Sequence, residues 1–391
     1  MCVEIKKWIP LLFVLFLPLS WAASVIGSVY RWITLTLFGY CLVKNRAKIK
    51  IEESSQAIFL SMSILVAYSV ISIVWGKSFD ESIKSAFSFI LMYFVAIVFV
   101  SYNYGEDSLG DKLDQFWSIV GIICSILFLF GERAKIGIYG SRTSLKILGT
   151  STDPNEFAGL FAITLAVNVY YIFNSKGSKR NINILAMVVG LYSVLLSGSR
   201  GAMVSCVISI VLAVIPCVQV SLKKMLVLLA VAVLLGVVFI RYLLPLIPND
   251  IVARMALQTV LSDGGGGRST IWRNGLEQYL NSNILRILFG YGANGLIAIG
   301  ERGSTGAMHN YYLQVLTNFG LIGLCLYFNL LWNVFRKFWI CNRKYVPALI
   351  AMMALSFTLT TTPNYKPIWI LLMTTLIPQR NLNGNEEDDG E

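Results

Sequence analysis

The residue with the clearest chemical potential is His309, the only histidine in the 391-residue chain. It lies where a polar, glycine-rich loop ends and a long apolar run begins, so we predict that it heads a helix over 309–334. The positive end of the helix dipole favours the neutral imidazole, which can accept a proton as a general base. The alternative interpretation is a histidine that only caps the helix at a membrane interface.

Helical periodicity predicts what surrounds this imidazole. At 100° per residue, four residues of the run fall near the face of His309: Leu313, Leu316, Gly320 and Gly323. Asn310, Gln314 and Thr317 form a polar stripe on the neighbouring face. The two glycines would let another membrane helix pack closely at that level.

Three arginines have neighbours that suit an anion. Arg200 lies in a turn between two apolar runs, flanked by Ser199 and by glycines. Arg268 directly follows Gly264–Gly267, and Arg142 follows a Gly-Ser pair. Hydroxyls, backbone amides and a planar guanidinium together make a cradle for phosphate. Each arginine has a simpler interpretation as well, as a side chain that snorkels to lipid headgroups or lies in a solvated loop.

The composition indicates what must position these residues. The chain is 56% hydrophobic and 14% charged, which is typical of an integral membrane protein. In a bilayer, spans of about 20 apolar residues form helices. We therefore predict an all-α, polytopic membrane protein, a single integral membrane domain over 1–391. About twelve transmembrane helices are expected: 9–26, 29–43, 57–75, 86–101, 116–131, 156–173, 182–197, 201–220, 225–245, 309–334, 345–362 and 366–378.

The distribution of basic residues predicts the orientation. Most of them fall in alternate loops, on the side that is cytoplasmic by the positive-inside rule. The net charge of +11 therefore follows from topology and does not indicate nucleic acid. The loop 102–115, rich in Asp and Glu, is the exception. Both termini are expected in the cytoplasm, with the acidic tail 381–391 disordered.

The opposite, outer side then carries the longest loop, 246–308, between helices 9 and 10. Ser269 or Thr270 is predicted to cap a short helix that continues to about Leu280. Asp153 and Pro154 are predicted to cap and begin the sixth span. The outer loops contain Arg142, Arg200 and Arg268 against the positive-inside bias, and binding of an anion would explain their retention. A lone histidine and seven irregularly spaced cysteines argue against a zinc or iron site and against a disulfide framework.

One motif resembles a known family. It consists of His309-Asn310, nine further residues, Gly320, two further residues and Gly323. This spacing is similar to the signature of the lipopolysaccharide O-antigen ligase family, whose wider superfamily includes O-antigen polymerases. The resemblance implies a GT-C-like glycosyltransferase of the bacterial inner membrane with its active site facing the periplasm. The donor would be undecaprenyl-pyrophosphate-linked glycan and the acceptor a sugar of lipid A–core, without metal, ATP or another cofactor.

The resemblance also implies roles for single residues. His309 takes the place of the catalytic histidine, with Asn310 beside it. Arg200 and Arg268 resemble arginines that bind the donor pyrophosphate. Arg142 and Ser199 are added to that site from their own neighbours in this sequence. The family pattern places Leu four residues after the loop arginine, where this chain has Trp272.

Three functions follow as hypotheses. The first is an O-antigen ligase, in which His309 accepts a proton from the acceptor hydroxyl and the arginines stabilise the leaving pyrophosphate. The second is an O-antigen polymerase, whose acceptor is another lipid-linked glycan. The third is a lipid-oligosaccharide flippase or transporter. A transporter would carry ionisable residues near the middle of its spans, and most spans here lack them.

Overall fold

The computed structural model describes residues 9–21, 23–24, 27–44, 51–102, 109–136, 142–217, 241, 245, 248–255, 259, 264–300, 303–359 and 365–377. The protein is mostly helical, at 81% helix. The helices are α1 (Ile9–Leu15), α2 (Val29–Lys44), α3 (Glu53–Ile71), α4 (Phe79–Tyr102), α5 (Leu109–Phe130), α6 (Pro154–Asn174), α7 (Gly177–Ser197), α8 (Arg200–Cys217), α9 (Asn249–Met255), α10 (Gly264–Leu280), α11 (Ile284–Phe289), α12 (Tyr311–Cys341), α13 (Val346–Leu355) and α14 (Lys366–Met373).

Short antiparallel hairpins connect some of these helices. They are formed by β1 (Ala23–Ser24) with β2 (Gly27–Ser28), β3 (Arg133–Ile136) with β4 (Arg142–Ile147), β4 with β5 (Thr150–Ser151), and β6 (Ala298–Gly300) with β7 (Gly303–Thr305).

Seven of the predicted spans are confirmed as helices long and apolar enough to cross a membrane within the described residues. They are α3 (with its 3₁₀ extension Ser72–Trp75), α4, α5, α6, α7, α8 and α12. The predicted span 225–245 falls almost entirely outside the described residues. The total of twelve, and the periplasmic position of the long loop, stay predictions.

Two predicted spans are shorter than expected. The first was predicted as one helix over 9–26, but α1 ends at Leu15 and a 3₁₀ segment follows over Leu17–Trp21. Pro18 lies in that segment, and a proline cannot donate the backbone hydrogen bond that would continue an α-helix. The eleventh was predicted over 345–362, but α13 ends at Leu355.

The helix α6 forms the centre of the bundle. Almost all its side chains are buried, and it packs against α5, α7, α8 and α13. Asp153 caps it, because its Oδ1 accepts hydrogen bonds from the backbone N–H groups of Asn155 (2.7 Å) and Glu156 (3.2 Å). Pro154 occupies the first turn, so both predictions for this helix start are confirmed.

Contacts across the bundle divide it into two ends. At one end the fully buried Asp114 accepts hydrogen bonds from Tyr171 (2.6 Å), Tyr345 and Lys344. Asp114, which belongs to the predicted acidic loop 102–115 but lies in α5, therefore pairs with one of the predicted cytoplasmic cations.

The opposite end, which we call the loop-rich end, contains the described residues of 131–136, 142–153, 197–200, 248–255, 264–300 and 303–310. There Lys135 pairs with Asp250 at 3.0 Å, and Arg254 Nε donates to the carbonyl of Gly198 at 3.3 Å. These contacts join the segments that carry Arg142 and Arg200 to the chain at α9.

Candidate active site

His309 lies directly before α12, which begins at Tyr311. Asn310 is the residue that caps this helix, because its side chain accepts a hydrogen bond from Leu313 N at 3.2 Å. The prediction that His309 is part of the helix is therefore wrong, since it precedes the cap. Its φ of +50° is left-handed, a conformation that costs a residue with a side chain about 1–2 kcal/mol. Such angles are common at functional sites, where the surrounding structure holds them.

The backbone is fixed by hydrogen bonds on both sides of His309. Met308 N donates to Gln314 Oε1 at 2.8 Å, and the carbonyl of Met308 accepts from Trp272 Nε1 at 2.8 Å. On the other side, Tyr311 N donates to the carbonyl of Ser356 at 2.8 Å. The backbone that carries the imidazole is thus held by α10, by α12 itself and by the segment after α13.

Gln314 is the centre of a buried amide network. Its Nε2 donates to Asn318 Oδ1 at 3.0 Å, to the carbonyl of Gly306 at 3.1 Å and to Asn294 Oδ1 at 3.3 Å. Since its Oε1 accepts from Met308, every polar atom of this side chain has a partner. The predicted polar stripe therefore exists, and at Gln314 its function is to hold the loop before His309.

Gly320 breaks α12 instead of providing a smooth packing surface. Its φ is +68° and its ψ −170°, which is not helical. A Cβ at Gly320 would lie 2.2 Å from the carbonyl oxygen of Leu288, so the loop-rich end approaches too closely for any other residue.

The break releases carbonyl groups, and the loop-rich end uses them. The carbonyls of Thr317 and Asn318 accept from Tyr291 N and Gly292 N, both at 2.9 Å. The carbonyl of Phe319 accepts from the hydroxyl of Tyr68 at 3.0 Å. Gly323 contacts the ring of Tyr68, since a Cβ there would lie 3.3 Å from Tyr68 Cε1. The signature glycine Gly320 therefore docks the long loop onto the membrane helices.

The three predicted arginines lie together at the loop-rich end. Arg142 begins β4, and its Nη2 is 4.0 Å from Asp153 Oδ1. Burial lowers the pKa of Arg268, and so do the positive charges of Arg142 and Arg200, while Asp153 opposes them. Burial likewise lowers the pKa of Arg142. These mutual effects mean that the cations are close enough to repel each other, with Asp153 as the carboxylate that acts on them.

The local structure explains how Arg200 and Arg268 reach this place. Gly198 ends α7 with a left-handed φ of +68°, and α8 begins two residues later at Arg200. Ser199 holds the turn, because its hydroxyl donates to Asn155 Oδ1 at 2.7 Å and accepts from Ala202 N at 3.3 Å.

Arg268 follows two glycines with left-handed angles, Gly266 (φ +80°) and Gly267 (φ +79°). The span of α10 begins at Gly264, but the left-handed angles of Gly266 and Gly267 interrupt its first turn, so the regular helix follows Gly267 and the predicted start at Ser269 or Thr270 is one or two residues too late. A Cβ on Gly266 would lie 4.0 Å from Arg200 Nη2, which places the start of α10 against Arg200. Ser269 and Thr270 lie inside the helix, because the glycines can adopt the angles that lead into it.

Two segments contact both the arginine cluster and the residues before α12 that carry His309, which we call the histidine loop. Arg268 and Trp272 are one helical turn apart on α10, and Trp272 holds Met308. The segment after α13 contacts both sides as well. Thr358 packs on Gly201 next to Arg200, with its Oγ1 2.4 Å from where a Cβ would be, and Ser356 accepts from Tyr311. The structure therefore brings all four predicted residues into one region.

Comparison with known families identifies this region. Residues 185–328 match the family described as O-antigen ligase, which is a little over a third of the chain. Residues 185–328 are therefore similar to an O-antigen ligase domain. No curated protein matches the chain. The matched part includes Arg200, Arg268, His309, Gly320 and Gly323, whereas Arg142 lies outside it.

The O-antigen ligase match confirms the family resemblance on which the sequence prediction relied. It supports a multi-pass membrane enzyme of the O-antigen ligase and polymerase superfamily, whose partners in general are lipid-linked glycans and lipid A–core. The roles of the individual residues are proposals.

Two features near the candidate site could not be predicted from the sequence. Trp272 holds the histidine loop by a side-chain hydrogen bond, and a cavity of about 280 Å³ lies beside α12. Arg31, Glu81 and Lys84 contribute to that cavity. Their only signal in the sequence is that ionisable residues occur in the first turns of otherwise apolar runs.

Proposed function

We propose that the protein is an O-antigen ligase, which transfers a glycan from undecaprenyl pyrophosphate to a sugar hydroxyl of lipid A–core. The reaction takes place at the periplasmic face of the bacterial inner membrane and uses neither metal nor ATP. The observation that supports this most directly is the clustering of Arg142, Arg200 and Arg268 beside the loop that carries His309.

The arginine cluster suits a pyrophosphate. Three buried or half-buried guanidinium groups repel each other, and Asp153 balances only one positive charge. Binding an anion with two phosphates removes that repulsion. Each guanidinium can donate two parallel hydrogen bonds to phosphate oxygens. Because negative charge grows on the leaving pyrophosphate during transfer, these contacts strengthen in the transition state and lower the barrier.

His309 supplies the base. The acceptor hydroxyl attacks the anomeric carbon of the donor sugar, and a new C–O bond forms on the face opposite the pyrophosphate. The bond from the anomeric carbon to the pyrophosphate oxygen breaks, and its electron pair leaves with that oxygen. His309 takes the hydroxyl proton, a step worth about 10²–10⁴-fold in rate. Attack from the opposite face inverts the anomeric centre, and a retained configuration in the product, read by NMR, would contradict this step.

Purified full-length protein in lipid nanodiscs provides the test. Undecaprenyl-pyrophosphate glycan and lipid A–core are supplied with a chelator and without nucleotide, and the product is separated on a gel. We expect transfer by the native protein and none by His309→Ala, which should insert into the membrane and unfold at the same temperature as the native protein. Normal transfer by His309→Ala would remove the histidine from the mechanism.

The arginine assignment is tested by conservative variants. Arg200→Lys and Arg268→Lys keep the charge but lose the planar fork, so we expect a rise in the donor KM and a fall in kcat for both. Lys135→Gln is the matched control, because it removes a cation of the same end that pairs with Asp250 outside the cluster. Full activity of both lysine variants would contradict bidentate binding of the pyrophosphate.

Deletion in the source bacterium separates the ligase from the polymerase of the same superfamily. Loss of a ligase leaves polymerised glycan on the carrier lipid, whereas loss of a polymerase leaves lipid A–core with a single repeat unit. We expect the first result. The second would assign the same chemistry to a lipid-linked acceptor.

A further inference from the structure

A cavity beside the histidine loop is not explained by donor binding. It has a volume of about 280 Å³ and is lined by Arg31 from α2, by the first turns of α4, by the loop around Asn294 and by α12. We call it the Arg31 cavity. Tyr311 and Gln314 line it and follow His309 by two and five residues, so the cavity adjoins the segment that carries the imidazole.

Arg31 brings a positive charge to this cavity, and it also lines a second cavity together with Glu156 and Lys366. Its guanidinium lies 5.4 Å from the centre of the Phe87 ring, and among the described residues it forms no ion pair and no hydrogen bond. Glu81 also lines the cavity, but its two oxygens accept from Lys84 Nζ (2.8 Å) and Asn294 Nδ2 (3.0 Å). The carboxylate of the cavity is therefore already engaged, and Arg31 is available to an anion.

Asn318 offers a donor in the same place. Its side chain is 7% exposed, and its Oδ1 accepts from Asn294 N at 3.1 Å and from Gln314 Nε2 at 3.0 Å. A backbone N–H can only donate, so this bond settles which atom of the amide is the oxygen. The Nδ2 group donates to nothing among the described residues, and Asn318 lines the cavity. An acceptor atom of a ligand in the cavity would satisfy it.

The remaining lining fits a saccharide. Phe87, Tyr311 and Phe319 provide apolar ring surface, while Ser85 and Lys84 provide polar groups at the rim. Sugars combine apolar faces with hydroxyls that both donate and accept. The volume lies near the lower limit for small-molecule sites, roughly 300–1,000 Å³, and suits about one sugar unit.

We propose that the Arg31 cavity binds the acceptor sugar, and that it selects an acceptor that carries a phosphate or carboxylate. Arg31 contacts the anionic group and Asn318 Nδ2 donates to an oxygen of the sugar. This inference rests on the proposed ligase function, because it places the second substrate in a cavity that adjoins the segment of His309 and that none of the three clustered arginines lines. The arginine cluster and Arg31 would then hold donor and acceptor separately.

The proposal is tested by steady-state kinetics of the full-length protein in nanodiscs. For Arg31→Gln we expect the KM for lipid A–core to rise about tenfold or more, the size expected for one charge-assisted hydrogen bond, with the donor KM unchanged. Arg343→Gln is the matched control, since Arg343 lies 5.5 Å from the Trp339 ring at the opposite end of the bundle. It loses a similar cation–π contact and should keep both KM values.

A second variant tests Asn318. Asn318→Asp keeps the oxygen that accepts from Asn294 and Gln314 and replaces only the free amide group. It adds a negative charge beside the proposed anion, so the acceptor KM should rise while the unfolding temperature stays within a few degrees of the native protein. A higher donor KM with an unchanged acceptor KM, in either variant, would overturn the assignment.

Modified acceptors test the anionic group itself. One acceptor is lipid A–core treated with phosphatase, and the other is lipid A–core with its carboxyl groups chemically reduced. At least one of them should be a poorer acceptor for the native protein than untreated lipid A–core. Arg31→Gln should show no further loss with that same acceptor, because the two changes remove one contact. Equal KM values for native and both modified acceptors would overturn the proposal.

Two further outcomes separate this inference from others. If the effect of Arg31→Gln disappears when anionic lipid in the nanodisc is replaced by phosphatidylcholine, Arg31 binds a bilayer headgroup and the acceptor assignment fails. If the native protein does not transfer to lipid A–core, the proposed function fails first. If transfer is normal and only the Arg31 and Asn318 results are negative, the cavity assignment alone fails.

Discussion

Replacement of Gly320 by alanine should undock the long loop from the membrane helices. The left-handed φ of +68° costs alanine about 1–2 kcal/mol. The added Cβ would lie 2.2 Å from the carbonyl oxygen and 2.4 Å from the carbonyl carbon of Leu288, and backbone atoms cannot rotate away. Relief of the clash must therefore move α11.

Movement of α11 would break the hydrogen bonds that the backbone N–H groups of Tyr291 and Gly292 donate to the carbonyls of Thr317 and Asn318 in α12. At about 1 kcal/mol each, they bring the expected loss of folding free energy to about 3–4 kcal/mol. Because α12 itself spans the membrane with or without the loop, we expect the variant to insert normally.

The assay combines thermal unfolding in detergent, limited proteolysis and glycan transfer. We expect Gly320→Ala to be cleaved faster around α11 and to lose transfer. Gly39→Ala is the matched control, because Gly39 also lies in an apolar helix but has no neighbouring atom within 4 Å of where its Cβ would be. Equal stability and equal protease resistance of the two variants would refute the account of the helix break.

Three further predictions concern single hydrogen bonds and charges. Trp272→Phe keeps the ring but removes the bond to Met308, so kcat should fall while stability falls by only about 1 kcal/mol; native kcat would contradict this role. Asp153→Asn keeps the helix cap and removes the carboxylate that opposes the arginines, so the donor KM should fall; a higher donor KM would contradict the cluster as a pyrophosphate site. Asp114→Asn leaves Lys344 buried without its counter-charge, so the free energy of unfolding should fall by about 3–5 kcal/mol in thermal unfolding experiments. The donor KM of the protein that stays folded should not change, and native stability would refute this prediction.

The sequence predicted the membrane helices well because lipid imposes a simple rule. A backbone in hydrocarbon must satisfy its own hydrogen bonds, so a long apolar run is almost always a helix. Seven spans follow this rule. The first predicted span does not, since Pro18 interrupts the α-helical hydrogen bonds and a 3₁₀ segment follows α1.

The residues of the candidate site could be proposed from charge and spacing, but the contacts that hold them could not be predicted. Gly320 was assigned to close helix packing, whereas it breaks the helix. Glycine permits both arrangements, so the sequence cannot distinguish them without the loop that approaches it. The same holds for Gln314, whose partners come from separate parts of the chain.

Trp272 shows why a departure from a family pattern can add a function instead of removing one. A leucine at this position could only pack against the histidine loop, whereas the tryptophan packs and also donates to the carbonyl of Met308. Arg268 lies one turn away on the same helix. A displacement of α10 would therefore move the guanidinium and the imidazole together. In a transfer reaction the base and the leaving-group contacts must be aligned at the same time, and a shared support achieves this with one helix.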